Sequence, residues 1–171
     1  SEIPVPDFSQ EAVKFYRHQA EKFWTDFSLY GKSQAAIVAY RDGKMALARN
    51  ILKSLKENAL KSEEMGMYWA KNKAGYFWNE RPVAVQTAIM EAFSEIGADT
   101  SDLEEMKIWL LKQKQTQRWD SPISTVDAVF ALLTIGNNWL QNNDKVIIKI
   151  GDKELQPSST EAGTGYFKQS L

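Results

Sequence analysis

The sequence predicts a mainly α fold in which helix hairpins repeat in series, with a short β hairpin near the C-terminus. Three observations predict it. Six segments carry apolar residues at helical spacing, two of them repeat at an offset of about 40 residues, and a β-branched run replaces the helical pattern near residue 145. The composition, 43% hydrophobic and 25% charged over 171 residues, is that of an ordinary globular chain long enough to bury a core. Residues 1–140 read as the helical part and 141–171 as a β segment belonging to, or leading into, an adjoining β domain.

Taken in order, residues 9–28 set Ala12, Tyr16, Ala20, Phe23, Trp24 and Phe27 along one stripe, with Ser9 placed to cap the helix. A shorter helix, 33–41, closes at Asp42-Gly43, and the next, 44–59, aligns Ala48, Ile51, Leu52, Leu55 and Ala59. Between 62 and 82 the periodicity lapses while glycines and aromatics gather, which predicts an ordered loop with room for a short hairpin.

Helix 82–97 starts on Pro82, stops at Gly97, and confines Val85, Ala88, Ile89, Ala92, Phe93 and Ile96 to one narrow sector. Helix 102–114 opens on a capping box, Ser101 to Glu104. Helix 122–137 follows Ser121-Pro122 and is apolar nearly all round, the pattern of a helix enclosed by others. Residues 145–155 then read as one or two strands around a Gly-Asp turn. A lone hairpin is marginal, so the natural protein is expected to continue past Leu171 into a β domain.

The repeat sets "GYFWNERPVAVQTAIMEAFSEIG" beside "TQRWDSPISTVDAVFALLTIG". Trp78 matches Trp119, Pro82 matches Pro122, Ala88 matches Ala128, and each helix stops at a glycine. "SQAAIVAYRDGKMALARNILKSL" is a looser third copy. Such a period holds two helices, so each unit buries its neighbour's face. Pro and Ser/Thr start the helix sharply, Ala permits close approach, and Trp plugs the turn between units.

Several chemistries are excluded. The chain has no Cys, so disulfides, thiolate nucleophiles and Cys-ligated zinc cannot occur in it. His18 is the single histidine, which leaves no His-rich metal site. A net charge of −1 supplies no field for nucleic acid, and no apolar run is long enough to span a bilayer. No cofactor or metal is expected.

A Trp turn followed by "STVDAVFALL" resembles the α/α-toroid repeat shared by α2-macroglobulin thioester domains, terpene cyclases and prenyltransferases. With "SLKENALKSEEMGMYW", "VQTAIMEAFSEI" and "KIWLLKQKQTQRW", the match is narrower: most of 30–170 is similar to the large α2-macroglobulin-type proteins of the Bacteroides group. The resemblance implies a helical toroid, and the six helices counted here amount to part of one, its C-terminal half. It implies a non-catalytic scaffold segment of an endopeptidase inhibitor that traps proteases in the periplasm or at the cell surface. Its expected partners are the remaining domains of the parent chain and, through them, proteases. The thioester Cys of the family is absent from this chain. Self-association of the isolated chain is expected, because part of a toroid leaves an apolar edge.

The alternative is a stand-alone α/α-toroid enzyme or a glycan- or peptide-binding module. Its carboxylate candidates are Glu63, Glu64, Glu91, Glu95 and Asp127. Glu91 and Glu95 read as a solvated helix edge, and Asp127 as a first-turn residue that favours the helix dipole. His18 falls on the polar side of its helix, and 112–115 ("KQKQ") is a solvated helix end. The aromatic cluster Tyr68, Trp69, Tyr76, Phe77 and Trp78 is expected to pack beneath its loop or against other parts of the parent protein. Its competing role is a binding surface.

Overall fold

The computed structural model describes residues 5–116, 119, 121–137 and the strands 148–150 and 153–155. The described residues are mainly helical: α1 Gln10–Phe23, α2 Leu29–Arg41, α3 Met45–Glu57, α4 Pro82–Ile96, α5 Thr100–Thr116 and α6 Pro122–Thr134. Two antiparallel hairpins join them, β1 Leu60–Ser62 with β2 Gly66–Tyr68, and β3 Ile148–Ile150 with β4 Lys153–Leu155. The chain divides into two compact units, 1–140 and 141–171. In the second unit the expected hairpin is present, with Ile148 opposite Leu155; its Gly151-Asp152 turn and the tail from 156 lie outside the described residues.

In the first unit α2, α4 and α6 pack side by side in series, with α3 behind α2 and α5 behind α4. The core is where these meet. Ala36, Ile51, Ile89, Phe93, Met106 and Leu110 are all buried there, and α4 contributes most because neighbours cover it on both sides. Its buried alanines let α2 and α6 approach. Both repeated prolines sit at the first position of their helices, α4 and α6, where the missing N–H costs no hydrogen bond. Ser121 Oγ accepts the Ser124 N–H at 3.1 Å, which caps α6 as its sequence predicts. Trp119 packs against the core, donates from its indole to Leu110 O at 3.4 Å and lies under Lys114.

The structure corrects several expectations. Helix 9–28 stops at Phe23: a 3-10 turn, Trp24–Asp26, and an extended Phe27 follow, and Ser28 caps α2 by accepting the Gly31 N–H at 3.2 Å. Ser9 caps nothing, and α1 buries no residue at all; its expected core residue Tyr16 is 70% exposed. An amphipathic stripe reports a face that gains from burial, and does not supply the partner. The loop 62–82 contains a hairpin that begins two residues earlier, with β2 docked on α5.

The capping box at Ser101 is not formed. Asp99 accepts the Ser101 N–H instead, at 3.0 Å, and Glu104 turns to the Asn137 N–H at 2.8 Å. Lastly, α6 is not enclosed within the first unit. Ala128, Ala131 and Ile135 are buried, while Val126 is 67% and Phe130 61% exposed, with Ile123 and Leu133 on the same open side.

Asp102, in the first turn of α5, is buried between Lys56 and Lys61, which ties the start of α5 to the end of α3 and to β1. Burial pushes its carboxyl up, but the hydrogen bonds from Lys56 and Lys61 outweigh that and hold it below the ordinary carboxylate value. The unfolded chain then binds the proton more readily. The stabilisation is therefore complete above the usual carboxylate range, about pH 4, and drains away as pH falls through the lower native value. In thermal melts across pH, Asp102→Asn is expected to melt lower than the parent at pH 7 and to show a shallower acid slope. Parallel acid slopes for the two proteins would remove this ion cluster from the account.

Candidate functional site

Two clefts of the first unit hold the aromatic loop and two of the carboxylate candidates; a third, along α1, is lined by Arg17, His18, Glu21, Asp42 and Lys44. The larger, about 640 Å³, lies under the segment that follows β2. Its floor is Leu55, Trp69 and Val85, all buried, from α3, the end of the hairpin and α4. The first turn of α2 makes one wall, and residues 69–80 make the other. Trp69 is held by its indole N–H, which donates to Leu55 O at 2.8 Å. Asn72 is held by its amide, whose Nδ2 donates to Pro82 O at 2.8 Å.

Glu80 closes the loop by accepting the Phe77 N–H at 3.1 Å and, through its main-chain oxygen, the Gly75 N–H at 3.2 Å. The Pro82 bond fixes the amide orientation of Asn72 and leaves its Oδ1 a buried acceptor with no partner among the described residues. Lys32, Lys71 and Lys73 line the opening against one carboxylate, Glu80.

The aromatic cluster is therefore divided. Trp69 packs inside as expected, edge-on to Phe93 with ring centroids 6.5 Å apart, and Tyr68 is half-buried. Tyr76 and Phe77 do not pack beneath the loop: Tyr76 is 88% exposed, and the two rings meet edge-to-face at 5.2 Å on its outside. The side chain of Trp78 lies outside the described residues. Lys32, Asn58, Lys71 and Asn72 had no part in the sequence expectation. The alternation of lysine and asparagine in "AKNKAG", flanked by aromatics, was the available signal, but Lys32 and Asn58 join only through the packing of α2 and α3.

The smaller cleft, about 450 Å³, runs along α2, α4 and α6. It brings together two of the five carboxylate candidates, Glu91 and Asp127, beside Tyr30. Burial raises the Asp127 carboxyl above its ordinary value. Burial also raises the Tyr30 hydroxyl, and the negative charges of Asp127 and Glu91 add to the effect. Asp127 is the sixth residue of α6, beyond the first turn, so the expected role at the helix dipole is not met. A carboxyl that keeps its proton to higher pH is suited to donating a hydrogen bond or a proton.

The other candidates lie apart. Glu95 is taken by Arg41 in a bidentate pair, both contacts 2.7 Å, and Glu63 and Glu64 are exposed in the β1–β2 turn. His18 is exposed on α1, as its phase predicts. Within 112–115, Lys112 and Gln113 are half-buried, whereas Lys114 and Gln115 are exposed. Among the described residues no group of three or more His, Asp or Glu is placed to hold a metal ion, and no helix is long and apolar enough to cross a membrane. No family model, curated protein or solved structure matches the chain.

Proposed function

We propose that this chain is a segment of the α/α-toroid of a bacterial α2-macroglobulin-like protein, and that it serves there as scaffold without a reaction centre of its own. The observation that carries the reading is the serial row α2, α4, α6, backed by α3 and α5, together with the open apolar side of α6. In a row of repeats, α6 would hold a further helix pair through Val126 and Phe130, much as α4 holds α6. The parent would be an endopeptidase inhibitor of the periplasm or cell surface, with its other domains as immediate partners and a trapped protease as the distant one. With no Cys in this chain, any thioester chemistry would belong to other parts of that protein.

The decisive experiment is protease entrapment by the full-length protein. A trapped protease should keep its activity on a small peptide substrate while losing it on a large protein. Glu91→Gln and Asp127→Asn should leave that protection intact. The second reading, a toroid enzyme or ligand-binding module, is favoured by the meeting of Glu91, Asp127 and Tyr30 in one cleft. Glycan hydrolysis by this chain that disappears in Glu91→Gln or Asp127→Asn would replace the scaffold reading with that one.

The isolated chain gives an independent check. Its open apolar side on α6 is expected to make it self-associate as its concentration rises in sedimentation velocity. Val126→Lys with Phe130→Lys should return a monomer. If the unsubstituted isolated chain sediments as a monomer throughout, this side of α6 does not seek a partner and the row ends there.

A further inference from the structure

We propose that the larger cleft is a binding site for an acidic oligosaccharide, a sugar unit bearing a carboxylate. The inference stands apart from the scaffold reading. At about 640 Å³ the cleft has the size of a small-ligand site, and its floor and walls combine an apolar base with a few polar groups. The charge is one-sided, since Lys32, Lys71 and Lys73 outnumber Glu80, whose Oε2 already accepts the Phe77 N–H. The first turn of α2 forms a wall, so the partial positive charge of a helix N-terminus adds to that of the lysines. These features select an anion.

The neutral groups select a polyhydroxylated one. Asn72 lines the cleft with its amide held by the bond to Pro82 O. Ser54, Asn58 and Asn79 add further hydroxyl and amide groups from α3 and the loop. A sugar hydroxyl both donates and accepts, which matches such a mixed set. An extended peptide is better served by a continuous strand edge of main-chain donors and acceptors, whereas these groups are side chains drawn from separate elements.

The test is calorimetric titration of the 171-residue chain with digalacturonic acid. Lactose serves as a neutral disaccharide of similar size and Glu-Ala-Glu as an acidic peptide. Digalacturonic acid is expected to bind saturably, more tightly than lactose, and more weakly as salt is raised. Lys71→Gln with Lys73→Gln should weaken it about tenfold, the loss of two charge-assisted contacts. Both lysines are exposed, so the variant should keep the parent's circular dichroism.

Three results would overturn the proposal: no saturable binding of digalacturonic acid, equal binding by the lysine variant, or lysine-dependent binding of the peptide in place of the sugar.

Discussion

Gly66→Ala is expected to destabilise the helical unit by about 3 kcal/mol or more, a large share of the roughly 5–15 kcal/mol that holds an ordinary domain folded. Gly66 opens β2 with φ at +66°, and a Cβ there would stand 2.0 Å from the Glu105 main-chain oxygen and 3.0 Å from Ile108 Cβ. The first obstacle is conformational, about 1–2 kcal/mol for a side chain in the left-handed region. The second is steric, and the atom in the way belongs to the backbone of α5, which cannot move without breaking its own ladder.

Relief would require lifting the hairpin off α5. That would disturb the fully buried Met67 and the hydrogen bond that Gln86 Nε2 donates to Met67 O at 2.9 Å. Gly97→Ala is the control, because Gly97 has φ at +85° but nothing within 4 Å of the added carbon. Denaturant midpoints should show Gly66→Ala falling well below Gly97→Ala. Equal losses would mean that the close approach of β2 to α5 contributes nothing.

Phe93→Ala is expected to cost about 3–5 kcal/mol, the range for emptying a large site in a packed core. Phe93 is 1% exposed on α4, and its ring stands at 75° to that of Trp69, which is itself bonded to Leu55 O. One side chain thus joins α4 to α3 and to the base of the larger cleft, and the surroundings have little freedom to collapse into the space it leaves. Tyr16→Ala, on the exposed face of α1, should change the melting temperature hardly at all. A loss at Tyr16 comparable to that at Phe93 would show that α1 is clamped to the unit after all.

These two residues also mark what was legible beforehand. Phe93 lies on α4, where apolar spacing, the Pro82 start and the Gly97 stop agree, and the helix is buried as that agreement implies. Tyr16 belongs to an equally regular stripe, yet stays at the surface because no described element covers it. The caps divide in the same way. The start of α6 was readable because proline suits the first helical position and Ser121 stands just before it, whereas Ser101 was misread as a cap because α5 begins one residue earlier, at Thr100, with Asp99 taking the Ser101 N–H.

Of the candidate carboxylates, Glu91 and Asp127 meet only because α4 and α6 are neighbours. The larger cleft draws Lys32 and Asn72 from segments 40 residues apart.

By itself the sequence determined the helical class, the pairing of Pro82 with Pro122 as matched starts, and the β hairpin near the C-terminus. Each is a matter of local chemistry: periodicity, fixed proline φ and β-branching act within a few residues of chain. Tertiary structure alone decided which apolar faces are covered, where Asp102 finds its counter-charges, and that two clefts flank Tyr30. Those outcomes depend on burial and on charges brought together through space, and neither is a property of any one stretch of chain.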